Sequence, residues 1–174
     1  KKVVVVVNNP KKIKNKKYSK NITVIKGGKE RSDSSLLALK YIKKYKPKNV
    51  LIHDAARPNF TKKLLRKLIL NLKKNKAVIP IIKSRDSIKY KHKNKIFNME
   101  REKTFLTQTP QAFRYLDLYK LAIKKGTKVS DEATLFLEKN YKVKFINGEN
   151  QNNKITFYND TKFPTTYFGI GFDV

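Results

Sequence analysis

Apolar residues recur along the chain in two spacings, and the two alternate. Short, mostly apolar runs at residues 3–7, 22–25, 49–52, 76–82 and 142–146 are bounded by polar stretches and, apart from the last, are rich in Val, Ile or Leu. Such runs predict strands covered on both faces in a largely parallel sheet. Between them lie segments whose apolar positions fall three or four residues apart, which predicts helices. The first spans 34 to about 45, with Leu36, Leu37, Leu39, Tyr41 and Ile42 on one stripe and Ser32 or Asp33 as its cap. The second follows Thr61 and carries Leu64, Leu65, Leu68, Ile69 and Leu72. A third runs from 114 to 125 and ends at Gly126. A fourth is opened by Ser130 and buries Ala133, Leu135, Phe136 and Leu137.

Strand followed by helix, repeated, predicts an α/β domain with a Rossmann-like, mainly parallel sheet flanked by helices. Pro80 marks a bend or an edge position in its strand, and residues 152–156 begin a last strand. From 83 to 100 the pattern changes to polar residues with turn chemistry near His92-Lys93-Asn94-Lys95. This predicts a protruding hairpin, a β-arm with too little apolar surface to stand without a partner.

Composition narrows the class of protein. At 174 residues the chain forms one domain of ordinary size. It has no Cys and no Trp, which excludes a disulfide framework and a Cys-based zinc site and fits the cytoplasm. No apolar run approaches the ~20 residues that span a bilayer, and the opening run is too short for a secretory signal. The formal charge of +29 is the footprint of many nucleic-acid-binding proteins. Yet only six of the 42 basic residues are Arg, and the Lys residues are spread through every segment instead of forming one stripe. They are solvated surface with a general attraction for phosphate, not a specific nucleic-acid site. Arg31, Arg57 and Arg101 are among those that fall within local motifs.

Candidate chemistry concentrates at His53-Asp54-Ala55-Ala56-Arg57-Pro58, where the strand at 49–52 ends. Ligands of open α/β sheets bind outside the carboxyl ends of the strands. A carboxylate there suits a divalent cation, and a guanidinium fork suits phosphate. The rival reading of the pair is an ordinary salt-bridged loop. His53 is expected to be a hydrogen-bonded structural residue and His92 a solvated one. The Gly27-Gly28 turn before a helix can receive a nucleotide through backbone N–H groups, or serve only as a tight connection. Asp131 is kept as a site candidate, whereas Glu132 is assigned to the favourable end of a helix dipole. The aromatic residues are assigned mostly to the core.

Taken together, the ordered motifs resemble one family, 2-C-methyl-D-erythritol 4-phosphate cytidylyltransferase. The segments that carry the likeness are Gly27-Gly28-Lys29-Glu30-Arg31-Ser32-Asp33-Ser34, the Asp54 motif, Arg85-Asp86-Ser87-Ile88-Lys89, Glu100-Arg101, Gln108-Thr109-Pro110-Gln111-Ala112-Phe113, Ser130-Asp131-Glu132-Ala133 and Asn153-Lys154-Ile155-Thr156. They extend to about Asp160. The resemblance implies transfer of cytidylyl from CTP to 2-C-methyl-D-erythritol 4-phosphate, with release of pyrophosphate. It implies that Asp54 holds Mg²⁺ or another divalent cation, and that Arg57, Arg101 and Lys154 act with it on the reactants. By the same likeness Gly28, Lys29, Ser34 and Ala55 face the nucleotide, while Ser87, Thr109 and Ser130 face the sugar phosphate. The arm at 83–100 matches a segment that the family exchanges across a homodimer, which would deliver Ser87 and Arg101 to the neighbouring site.

Several positions depart from the family pattern. Lys29 stands where Asp is common, and Ser87 and Ser130 stand where Thr is common. The family's Gly-rich, basic CTP loop has no counterpart here, so the chain alone is expected to be inactive. Residues 1–160 then constitute the cytidylyltransferase domain. Residues 161–174, ending in Gly171-Phe172-Asp173-Val174, resemble a linker and the opening of 2-C-methyl-D-erythritol 2,4-cyclodiphosphate synthase, as in a bifunctional fusion. Two alternatives remain open at this stage: another sugar-phosphate nucleotidyltransferase, and a basic nucleic-acid-binding protein.

Overall fold

The computed structural model describes residues 2–13, 20–125, 129 and 131–161. The chain opens with β1 (Val3–Val7) and β2 (Ile22–Lys26), a parallel pair in which Val5 lies opposite Val24. α1 (Arg31–Ile42) follows the Gly27-Gly28 turn. β3 (Asn49–Ile52), α2 (Lys62–Leu72) and β4 (Ala77–Lys83) come next. A hairpin, β5 (Lys89–His92) and β6 (Lys95–Asn98), precedes β7 (Phe105–Thr107) and β8 (Gln111–Arg114). α3 (Tyr115–Lys125), α4 (Glu132–Leu137) and β9 (Val143–Asn147) complete the regular elements.

The larger sheet has the order β3-β8-β4-β7, with β9 on the other edge of β4. Alternation along its strands divides the core into two layers. Val78 and Ala112 face α2, whose Leu64, Leu68 and Leu72 form one stripe spaced by four. Ala77, Ile79 and Phe113 face the opposite way, onto Leu39 of α1, Leu118 of α3 and Phe136 of α4. Phe113 and Phe136 stack with centroids 5.3 Å apart. The sheet is thus covered on both faces, as an α/β domain requires.

It is not, however, mainly parallel. β4 pairs in parallel with β9, but β8 and β7 run antiparallel to it, and β3 runs antiparallel to β8. The cause is β8, a four-residue strand directly before α3 that has too few residues to show a periodicity. It enters between β3 and β4 and reverses the direction of the ladder. Pro80 also differs from expectation, because it is buried mid-sheet and not at an edge. Its carbonyl accepts from the Gln108 N–H at 2.9 Å, at the gap where β4 exchanges β8 for β7. A strand residue's N and carbonyl face the same neighbour, so the missing N–H falls where no ladder bond is needed.

Other boundaries shift by local chemistry. α1 begins at Arg31 rather than Ser34, with Glu30 in the cap position and its N–H donating to Asp33 Oδ2 at 3.0 Å. Asp131 caps α4, its Oδ1 accepting from the Thr134 N–H at 3.0 Å. Thr61 caps α2 as expected. Residues 152–156 form no strand. Ile155 donates its N–H to the Ala56 carbonyl instead, which ties that segment to the loop after β3. β1 is only partly covered, with Val3 exposed, and Leu37, Ile69 and Leu137 also reach solvent. Gly126, Ser130 and the 162–174 tail lie outside the described residues.

The hairpin lies where the arm was expected, with Lys93 in the left-handed region at its turn and every side chain of both strands exposed. Tyr90 and Phe97 stack on it at 5.2 Å. The aromatic assignment therefore holds for Phe113, Tyr115 and Phe136, but Phe97, Phe105, Phe157 and Tyr158 stand in solvent. Because Phe113 joins β8 to α4 with no exposure, Phe113→Ala should lower unfolding free energy by about 3–5 kcal/mol in urea titrations. A loss under about 1 kcal/mol would mean that the layer is not packed around it.

Candidate active site

Asp54 follows the end of β3 and sits at the centre of a ring of cations. Its Oδ1 accepts from Arg31 Nε at 3.2 Å. Its Oδ2 lies 3.5 Å from Lys154 Nζ and 3.9 Å from Arg57 Nε. The carboxylate is 18% exposed, so it is accessible without being free in solvent. Burial pushes its pKa upward, but the charges of Arg31, Lys154 and Arg57, with the Arg31 hydrogen bond, outweigh burial and hold it below the ordinary carboxylate range. The group is an anion at neutral pH with one oxygen tied and one loosely held.

Main-chain groups fix the loop that presents it. The Asp54 N–H donates to Thr109 Oγ1 at 3.0 Å, and the Arg57 N–H closes a turn on the Asp54 carbonyl. His53 Nε2 meets the Arg57 carbonyl at 3.0 Å, and Nδ1 meets Thr109 Oγ1 at 3.1 Å. A carbonyl can only accept, so Nε2 carries the proton. In the neutral ring Nδ1 then accepts from the Thr109 hydroxyl. Burial lowers the His53 pKa, which favours that neutral form. His53 is the structural residue that its position suggested.

Arg57 is aimed by backbone. Its Nη1 donates to the Asn152 carbonyl at 2.8 Å and its Nη2 to the Thr107 carbonyl at 3.4 Å, while the buried Nε has no hydrogen-bond partner. Burial lowers its pKa and Asp54 works against that, yet a guanidinium stays charged. Asn152 is fully buried, and its Nδ2 donates to the Thr109 carbonyl at 2.8 Å. Gln108 Nε2 donates to the Glu149 carbonyl, and Glu149 in turn receives the Thr61 N–H at 3.0 Å and the Thr61 hydroxyl. The 148–152 turn is therefore clasped between α2 and the loop before β8. Gly148 is required there, since a Cβ would lie 2.4 Å from Gln108 Oε1 and 3.2 Å from the Ile81 carbonyl.

The nucleotide-side turn is built on close approach. Gly28 donates to Ser34 Oγ at 3.2 Å, and a Cβ on Gly28 would fall 2.2 Å from Asp33 Cβ. Lys29 and Ala55 are exposed. Asp54, Arg57, Thr109 and Lys154 are thus gathered at one end of the larger sheet, and Arg31, three residues after Gly28, links the start of α1 to Asp54. Ser87 and Arg101 are not brought to this group. Ser87 bonds Asn98 and Lys89 at the base of the hairpin, and exposed Arg101 lies 3.6 Å from Glu102.

Sequence reasoning missed two charged members. Arg31 extends from Asp54 to Glu132, with Nη1 and Nη2 on the two carboxylate oxygens at 3.0 and 2.9 Å. Glu132 is buried, so it is more than a helix-dipole acid. The pairing spans 101 positions, and the scarcity of Arg was its only signal in the sequence. Asp131, beyond its cap, accepts from Gln111 Nε2 and the Thr107 hydroxyl.

A separate hollow of about 420 Å³ lies at the opposite end of β3 and β8, beside Lys48, Lys73, Lys74 and Arg114. Its carboxylate, Asp117, is paired with Lys76 at 3.0 Å, so it offers none of the chemistry gathered around Asp54. No helix among the described residues is long and apolar enough to cross a membrane.

An α/β domain that holds one carboxylate within a ring of cations at its strand ends is the frame of an enzyme that handles anionic reactants. Residues 1–168 match the family model described as IspD, 2-C-methyl-D-erythritol 4-phosphate cytidylyltransferase, and the chain belongs to that family. It is 51% identical over 175 residues to the bifunctional enzyme IspD/IspF of Pelagibacter ubique, covering 99% of this chain and 47% of that protein. It is 38% identical to a 2-C-methyl-D-erythritol 4-phosphate cytidylyltransferase of Thermosipho melanesiensis, over 91% of this chain and 74% of that protein. Among solved structures, 4-diphosphocytidyl-2C-methyl-D-erythritol synthase of Anaerococcus prevotii superposes with a TM-score of 0.80 at 34% identity, covering 91% of this chain and 74% of that one. The bifunctional IspDF of Campylobacter jejuni gives a TM-score of 0.79 at 32% identity, covering 93% of this chain and 41% of that one. The chain spans about half the length of the bifunctional relatives it matches.

The depressed Asp54 pKa has a definite sign for stability. The unfolded carboxyl, near pKa ~3.9, binds its proton before the folded one. Its contribution is therefore complete above that value and is lost as pH falls through the lower folded pKa. Urea midpoints measured from pH 6 to pH 3 should fall less steeply below about pH 4 in Asp54→Asn than in the parent. Equal slopes would show that the ring does not stabilise the anion.

Proposed function

We propose that this chain belongs to a cytidylyltransferase that joins CTP and 2-C-methyl-D-erythritol 4-phosphate in non-mevalonate isoprenoid synthesis. The observation that carries this reading is Asp54 held among Arg31, Arg57 and Lys154 at the end of β3, in a chain of the matching family. A phosphate oxygen of the sugar attacks the α-phosphorus of CTP in line. The new P–O bond forms as the bond to the bridging oxygen breaks, and the electron pair leaves with pyrophosphate. Arg57 and Lys154 hold the acceptor phosphate and offset its charge, so the enzyme's contribution is positioning and neutralisation.

The residues fit a divalent cation of one kind. Among the described residues no cluster of three or more His, Cys, Asp or Glu could hold a metal ion. One carboxylate with a loosely held oxygen, completed by reactant phosphates and water, is the donor set that Mg²⁺ ordinarily takes. Asp54 Oδ2 would supply that oxygen, and a bound Mg²⁺ would neutralise phosphate charge. Gly28, Lys29, Ser34 and Ala55 are assigned to the nucleotide, and Thr109 and Ser130 to the sugar phosphate.

Two extensions complete the reading. The exposed hairpin, with Tyr90, Ile96 and Phe97 in solvent, supports a homodimer in which each arm carries Ser87 and Arg101 to the other subunit's site. Relatives named as bifunctional support residues 161–174 as the joint to a cyclodiphosphate synthase unit. The cytoplasm is the expected compartment.

A coupled assay of pyrophosphate release in the full-length protein tests the reaction. Methylerythritol phosphate should be used in preference to other sugar phosphates, and Lys154→Ala should lower kcat/KM by about 100-fold. Turnover of a different sugar phosphate alone would refute the assignment. Mixed dimers with Arg101→Ala in one subunit should lose the site of the unmutated neighbour; loss confined to the mutant's own site rules out exchange.

A further inference from the structure

Arg31 is the first residue of α1, Asp54 follows β3, and Glu132 opens α4. The guanidinium binds the two oxygens of Glu132 at 3.0 and 2.9 Å and one oxygen of Asp54 at 3.2 Å. Its tighter, two-point contact is with the residue farther from the open site. Glu132 has 3% of its side chain exposed, and among the described residues its cationic partner is Arg31. Around Asp54 stand three positive charges, a number that would favour anions and repel a divalent cation. One of the three is already offset by Glu132.

We infer that Arg31 and Glu132 form a charge-neutral counterweight behind Asp54: Glu132 cancels the Arg31 charge, so that the carboxylate can still bind a cation. Both are positioning residues, and the idea rests on Asp54 as the cation-holding group. It predicts opposite effects on ligands of opposite charge, which a simple packing defect would not produce. Glu132→Gln preserves the shape of the side chain and unmasks one positive charge close behind Asp54.

The test is a charge cycle read by binding, independent of turnover. Mn²⁺ affinity is measured by electron paramagnetic resonance, and inorganic pyrophosphate affinity by calorimetry without metal. In Glu132→Gln, Mn²⁺ should bind about three- to tenfold more weakly while pyrophosphate binds equally or more tightly. The double variant Arg31→Gln with Glu132→Gln removes both charges, and its two affinities should return to within about twofold of the parent. Weakening of both ligands by Glu132→Gln, or no recovery in the double variant, overturns the inference. If Glu132→Gln does not fold, the double variant decides alone, and loss of both affinities counts against the counterweight. Asp54→Asn separates the premises: undiminished Mn²⁺ binding there removes the Asp54 assignment, whereas a failed cycle with intact Asp54 dependence removes only the counterweight.

Discussion

One guanidinium shared by two carboxylates is the constraint on which the site depends. Arg31 joins the start of α1, the loop after β3 and the start of α4, three segments distant in sequence. Each carboxylate is substantially withdrawn from water, and a buried anion without a partner is costly. The arrangement resolves the cost by dividing the donors of a single side chain. A Lys could not do this, because a point charge lacks the planar fork that reaches two acids in fixed directions.

Around that ion group the backbone supplies rigidity. Thr109, at the entrance to β8, accepts the Asp54 N–H through its hydroxyl and the Asn152 side chain through its carbonyl. The central position of β4, with neighbours on both edges, places the β3 loop, the segment before β8 and the 148–152 turn at a common end. The antiparallel insertion of β8 is therefore functional in its geometry. It brings Thr109 back to the mouth of β3, which a wholly parallel sheet would leave to other strands.

Much of this was legible in advance, for identifiable reasons. The Asp54 and Arg57 pair was visible because it interrupts an apolar run where a strand must stop. α2 announced itself through Thr61 and a stripe of Leu residues spaced by four. β8 was hidden because four residues carry no measurable period. Ser130 and Asp131 are adjacent residues of equal capping ability, and only the coordinates distinguish Asp131 as the donor's partner. Glu132 does stand in the first turn of α4, where the helix dipole is a sufficient local reason for an acid, so nothing nearby pointed to its ion-pair partner 101 positions away. Long-range charge pairs leave no pattern in a single sequence.

The way Arg57 is held has an evolutionary corollary. Its guanidinium grips the carbonyls of Thr107 and Asn152, groups that every amino acid possesses. Replacing the side chain at 107 would leave that grip intact. Adding or deleting a single residue between Gly148 and Asn152 would carry the carbonyl out of reach. In this turn, length is under tighter restraint than identity at the positions whose side chains point away, so related proteins should differ there by exchange of residues and not by gaps.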